Sequence, residues 1–140
     1  MDSDQLTYLE DTFVCMDVGG LDAIIQAMAT QKDSPRIQEE GARLMTSIIQ
    51  NDEATVEDVG LKGGLFLVTR AMTQFLSDKG VQTMCCRALW ILSNNDAHIR
   101  WYIDNNLAEK VMMSMDEHMD SMDVQSYGGE LVSLLISYIS

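Results

Sequence analysis

Val81-Gln82-Thr83-Met84-Cys85-Cys86-Arg87-Ala88-Leu89-Trp90-Ile91-Leu92-Ser93-Asn94-Asn95 reads as an amphipathic helix. At about 100° per residue, Val81, Cys85, Ala88, Leu89 and Leu92 share one face, with Thr83, Arg87, Trp90 and Asn94 opposite. The small side chains of Cys85, Cys86 and Ala88 predict a close helix neighbour. Two degenerate copies of this segment elsewhere in the chain decide the architecture.

The Ile/Val-Gln pair stands at Ile37-Gln38, Val81-Gln82 and Val124-Gln125, offsets of 44 and then 43 positions. The same offsets carry Gly19 to Gly63 to Asn106, Ile24 to Val68 to Val111, and Met28 to Met72 to Met115. Ala42, Cys86 and Gly129 correspond, as do Met45, Leu89 and Val132, and Ile48, Leu92 and Leu135. The pattern predicts one domain over 1–140, built from three units at about 4–50, 51–94 and 95–140.

Each unit reads as three helices. The first, at Asp4–Met16, Asp52–Val59 and Asp96–Asp104, opens on Asp or Asn residues able to cap it. A corner follows at Gly19-Gly20, Gly63-Gly64 and Asn105-Asn106, residue types that tolerate a left-handed backbone. Second helices are expected at Leu21–Thr30, Leu65–Leu76 and Leu107–His118. Third helices are expected at Ile37–Gln50, Val81–Asn94 and Val124–Tyr138. A single such unit cannot cover its own apolar faces, so stacking is required to form a core.

The glycine corner, the apolar second helix, the polar loop and Val81-Gln82-x-x-Cys85-Cys86-x-Ala88-Leu89-x-x-Leu92 together resemble the armadillo repeat, over essentially the whole chain. The resemblance implies an all-α fold, a right-handed α-solenoid of about three three-helix repeats. It also implies a concave groove lined by the third helices and protein binding without catalysis. The expected groove is lined by Glu39, Arg43, Thr46, Ser47 and Gln50, then Thr83, Arg87, Trp90, Ile91 and Asn94. Ser126, Glu130, Ser133, Leu134 and Ser137 complete it. Trp90 beside Arg87 has the composition of a binding hot spot, with packing of Trp90 against a neighbouring helix as the alternative.

Two departures from the family shape that expectation. Its asparagine ladder falls on Ser47, Ile91 and Leu134 here, and the tryptophan array of its nuclear import adaptors on Arg43, Arg87 and Glu130. Recognition of a nuclear localisation signal in the family's manner is therefore not expected. Ile91 and Leu134 point to a greasier groove suited to a peptide or an amphipathic helix of a protein partner.

Charge narrows the partner further. A net charge of −13 and a pI near 4.2 disfavour nucleic acid and anionic membrane and fit a basic partner or simple solubility. Residues 1–60 hold 13 acidic and 3 basic side chains, so most of the negative field lies there. Three cysteines, two of them adjacent, do not form a secreted disulfide framework. With no signal peptide at Met1-Asp2-Ser3-Asp4, the expected compartment is cytoplasm or nucleus.

No cofactor or metal is expected. The stretch from Met115 to Asp123 lacks the glycine and the bidentate glutamate of a calcium loop and reads as a solvated connection. His98 and Cys15 have no paired base or nucleophile near them, so the chain is not read as an enzyme. Met28, Met72 and Met115 occupy one core column, and core packing is also expected for Met112, Met113, Met119 and Met122, with a sticky Met-rich edge as the alternative. The last stretch, 131–140, is apolar nearly all round and expects cover on more than one side. A homo-oligomer through Leu134, Tyr138 and Ile139, or a place in a longer array, is the alternative role.

Overall fold

A computed structural model describes residues 20–49 and 52–139. Among these residues there are eight α-helices and no strand: α1 (Gly20–Thr30), α2 (Pro35–Ile49), α3 (Glu53–Leu61), α4 (Gly64–Gln74), α5 (Lys79–Ile91), α6 (Asp96–Asp104), α7 (Leu107–Glu117) and α8 (Met122–Ile139). The expected first helix at Asp4–Met16 and its corner at Gly19 lie outside the described residues, as does Gln50.

Local chemistry sets the helix starts. Asp52 accepts from the Ala54 amide at 3.1 Å to open α3, and Asn95 accepts from that of His98 at 3.1 Å to open α6. Helices α2, α5 and α8 are capped from one repeat column. Ser34 accepts from Ile37 N at 3.2 Å, Asp78 from Val81 N at 3.0 Å, and Ser121 from Val124 N at 3.2 Å. The expected corners are left-handed, with φ of +83° at Gly63 and +59° at Asn106. Glycine adopts this conformation freely, and asparagine does so more readily than most residues.

The Ile/Val-Gln pair has an atomic meaning that recurs in all three units. Gln38 Nε2 donates to the carbonyls of Met28 at 3.1 Å and Gln31 at 2.9 Å. Gln82 Nε2 donates to those of Met72 at 3.1 Å and Phe75 at 2.7 Å, and Gln125 Nε2 to Met115 at 2.8 Å and His118 at 3.0 Å. Each amide adds a donor to carbonyls at the end of the preceding helix, where the chain turns; the second carbonyl of each pair also accepts a turn amide, from Ser34, Asp78 and Ser121 respectively. The clamp therefore fixes α1 to α2, α4 to α5 and α7 to α8 in the same way.

Like helices then pack on like: α2 on α5 on α8, and α1 on α4 on α7. With neighbours on two sides, α5 buries more than the single stripe read from its sequence. Val81, Cys85, Ala88, Leu89 and Leu92 are fully buried, and so is Cys86, whose Sγ lies 4.0 Å from Ser114 Oγ on α7. Burial drives both thiols above their ordinary pKa, Cys86 to about 11, so they act as small core groups. One apolar cluster includes residues from all eight helices.

The C-terminal end of α5 is held by α6. Tyr102, fully buried, donates its hydroxyl to the Leu89 carbonyl at 2.7 Å, and buried His98 donates from Nδ1 to that of Leu92 at 2.8 Å. His118, on the segment expected to be a solvated loop, is also buried and donates from Nε2 to Leu76 O at 2.7 Å. That segment is mostly helical, since α7 runs to Glu117 and α8 starts at Met122.

The methionine expectation divides. Met28 and Met72 are core and Met115 is half-buried, whereas Met112, Met113, Met119 and Met122 are exposed rather than packed. Met119 lies in the turn between α7 and α8, and Met122 opens α8. Met112 and Met113 lie on the side of α7 away from its buried residues Leu107, Val111 and Ser114.

Candidate functional site

Stacking of α2, α5 and α8 brings together the helices that carry the expected groove residues. Arg43 and Ser47 are exposed on α2, and Glu130 is exposed on α8. Arg87, Trp90 and Ile91 on α5 and Leu134 on α8 are half-buried. Asn94 is exposed in the turn after α5. Trp90, Ile91 and Leu134 rest on the apolar core, so each presents one side to solvent and the other to packing. Thr46 does not reach the surface; it is buried, and its hydroxyl donates to the Arg43 carbonyl at 2.7 Å. Tyr138 and Ile139 are exposed on α8, along a groove of about 350 Å³ shared with Asp96, Ile99, Arg100 and Ile103.

The electrostatics of the α2–α5–α8 face are mixed. Arg43 is ion-paired with Glu40 one turn before it. Glu39 sits against the start of α5, where a Cβ added to Gly80 would lie 2.4 Å from Glu39 Oε1. Burial first, then the charges of Asp78 and Glu40, push its carboxyl above the usual range, outweighing Arg36 and Arg43.

A second surface was not anticipated from the sequence. Phe66, Thr69, Arg70, Thr73, Gln74, Trp101, Asn105 and Lys110 line a groove of about 320 Å³ beside α4 and α7. A hollow of about 40 Å³ continues it past Thr73 and Lys110 to Met72, Leu76 and Met113. Phe66 is 56% exposed, with the Arg70 guanidinium 5.8 Å above its ring. Arg70 also donates to the Met28 carbonyl at 3.0 Å, and Lys110 Nζ donates to that of Asn105 at 2.6 Å. Trp101 is half-buried, edge-on to Tyr102 with ring centroids 6.3 Å apart. On its other side a groove of about 440 Å³ runs along Leu61, Leu65, Ala97 and His98.

No cluster of three or more His, Cys, Asp or Glu side chains able to hold a metal occurs among the described residues. None of their helices is long and apolar enough to cross a membrane. The chain matches no family model, no curated protein and no solved structure.

Proposed function

We propose that this chain is a non-catalytic protein-binding module, a right-handed armadillo-like solenoid that takes a peptide or helix of a partner along its third helices. The supporting observation is the recurrent glutamine clamp. It fixes each third helix to the second helix of its own unit in the same way, and α2, α5 and α8 pack side by side, so equivalent outer positions fall in columns: Arg43, Arg87 and Glu130 in one, Ser47, Ile91 and Leu134 in the next. Trp90 stands at the centre, a rigid half-buried aromatic beside Arg87, the kind of anchor that dominates interface energetics.

Peptides selected from a displayed random library on the full chain provide the test. Trp90→Ala and Arg87→Ala are each expected to weaken the selected peptides about tenfold or more by fluorescence anisotropy. Unchanged affinity in both variants overturns the reading.

A second reading, assembly through the last helix, rests on a separate observation. Ile136, Tyr138 and Ile139 expose 51%, 54% and 62% of their surface at one end of α8, beside Ile99 and Ile103. Sedimentation equilibrium is expected to show a mass that rises with concentration and returns to monomer in Ile139→Asp. A strict monomer at all concentrations removes this reading.

A further inference from the structure

The groove beside α4 and α7 has a composition at odds with the rest of the molecule. The chain carries a net charge of −13, yet the groove and its extension are lined by two cations, Arg70 and Lys110, and no carboxylate. Neither cation has an ion-pair partner among the described residues, a state they share with Lys32, Arg36, Arg87 and Arg100. Arg70 and Lys110 are held in place by backbone carbonyls, which orient them without neutralising them. Around them lie Phe66 and Met113, 56% and 51% exposed, and the half-buried Trp101.

We propose that this groove binds a short acidic amphipathic helix of another protein. Apolar anchors of that helix cover Phe66, Trp101 and Met113, and its carboxylates meet Arg70 and Lys110. From Phe66 to Leu76 is ten positions of sequence. The helical part of that span, Phe66 to Gln74, is about 12 Å at the helical rise, which matches a little over two turns of a bound helix. Aromatic, methionine and arginine side chains are those enriched where helices dock into grooves. A nucleic acid is a poor occupant, because two cations do not offset the repulsion of so acidic a chain. A second copy of the chain brings that same net negative charge. The proposed surface is separate from the α2–α5–α8 face, so the two readings stand or fall independently.

The probe is a fluorescein-labelled 14-residue helical peptide carrying leucines at i, i+3, i+4 and i+7 with glutamates beside them. Its counterpart has lysine for every glutamate. The full chain is expected to bind the acidic peptide in the micromolar range and more weakly as salt rises, while the lysine peptide does not bind. Lys110→Glu and Phe66→Ser are each expected to weaken binding about tenfold, and Trp90→Ala to leave it unchanged. Neither Lys110 nor Phe66 is a core residue, so circular dichroism should show both variants folded. Equal binding of the two peptides, binding of neither, or indifference to Lys110→Glu and Phe66→Ser overturns the proposal. So does self-association of the chain that Phe66→Ser abolishes, which would make a second copy the occupant.

Discussion

Gln82→Glu is expected to make folding strongly pH-dependent, with stability about 1 kcal/mol below that of the parent chain near pH 5.5 and about 3 kcal/mol below it near pH 8. Gln82 is fully buried and its amide nitrogen serves two carbonyls, those of Met72 and Phe75. A carboxylate at that position has no proton to donate and faces both oxygens. Burial and this opposition raise the folded-state pKa above the value near 4.3 of an unfolded glutamate. The folded state then binds more protons than the unfolded state, so stability is present at low pH and lost as pH rises through the folded pKa. The protonated acid still has one donor for two acceptors, so recovery at low pH is partial. Gln125→Glu is the internal comparison, because Gln125 is half-buried and water can solvate the charge, giving a smaller effect. Urea melts followed by circular dichroism at the two pH values decide the matter. A loss that is the same at pH 5.5 and pH 8 would show that the carbonyls are satisfied by something other than this amide.

What was legible in the sequence was whatever recurs under a backbone requirement. The Ile/Val-Gln column was visible because the same donor is needed wherever a second helix ends and a third begins, and Gln38, Gln82 and Gln125 meet that need with matching geometry. Gly63 and Asn106 were visible because few residue types accept a left-handed corner. The burial of Cys86 was legible from its small side chain, but that of His118 was not, since it depends on which neighbour lies across the space, and a single-helix periodicity carries no information on that. The apolar face at Leu61, Phe66 and Trp101 was hidden for a different reason: none of it falls in a column that agrees between units. The signal lay in columns that disagree. The counterparts of Phe66 are Asp22 and Glu109, that of Trp101 is Asp58, and Leu61 stands where Asp104 does in the next unit. The repeat therefore does not require an apolar residue at these positions for its own core. Trp90, the residue singled out on the third-helix face, is shared between surface and core, which periodicity alone does not resolve.

Gly64→Ala is expected to cost about 2–4 kcal/mol, more than the same change at its neighbour Gly63. The two glycines look alike in sequence and are needed for unlike reasons. Gly63 has a φ of +83° and open space around the site of a Cβ, so Gly63→Ala meets only the left-handed backbone penalty of about 1 kcal/mol. A Cβ on Gly64 would lie 2.4 Å from Val59 Cγ1 and 2.9 Å from the Val59 carbonyl oxygen. The first contact can be relieved by removing a side chain. The second is with backbone, and only moving α3 away from α4 relieves it. The third unit shows that the requirement is local: Leu107 stands in the column of Gly64 and is fully buried there. A reading from the repeat alone would therefore expect Gly64→Leu to be tolerated, whereas the α3–α4 spacing forbids it. Thermal melts of Gly64→Ala with and without Val59→Ala separate the two contacts. Because the carbonyl contact remains, Val59→Ala is expected to recover only part of the loss, measured against the Val59→Ala chain alone. Complete recovery would show that the Val59 side chain, and not the approach of the two helix backbones, is what keeps a glycine at position 64.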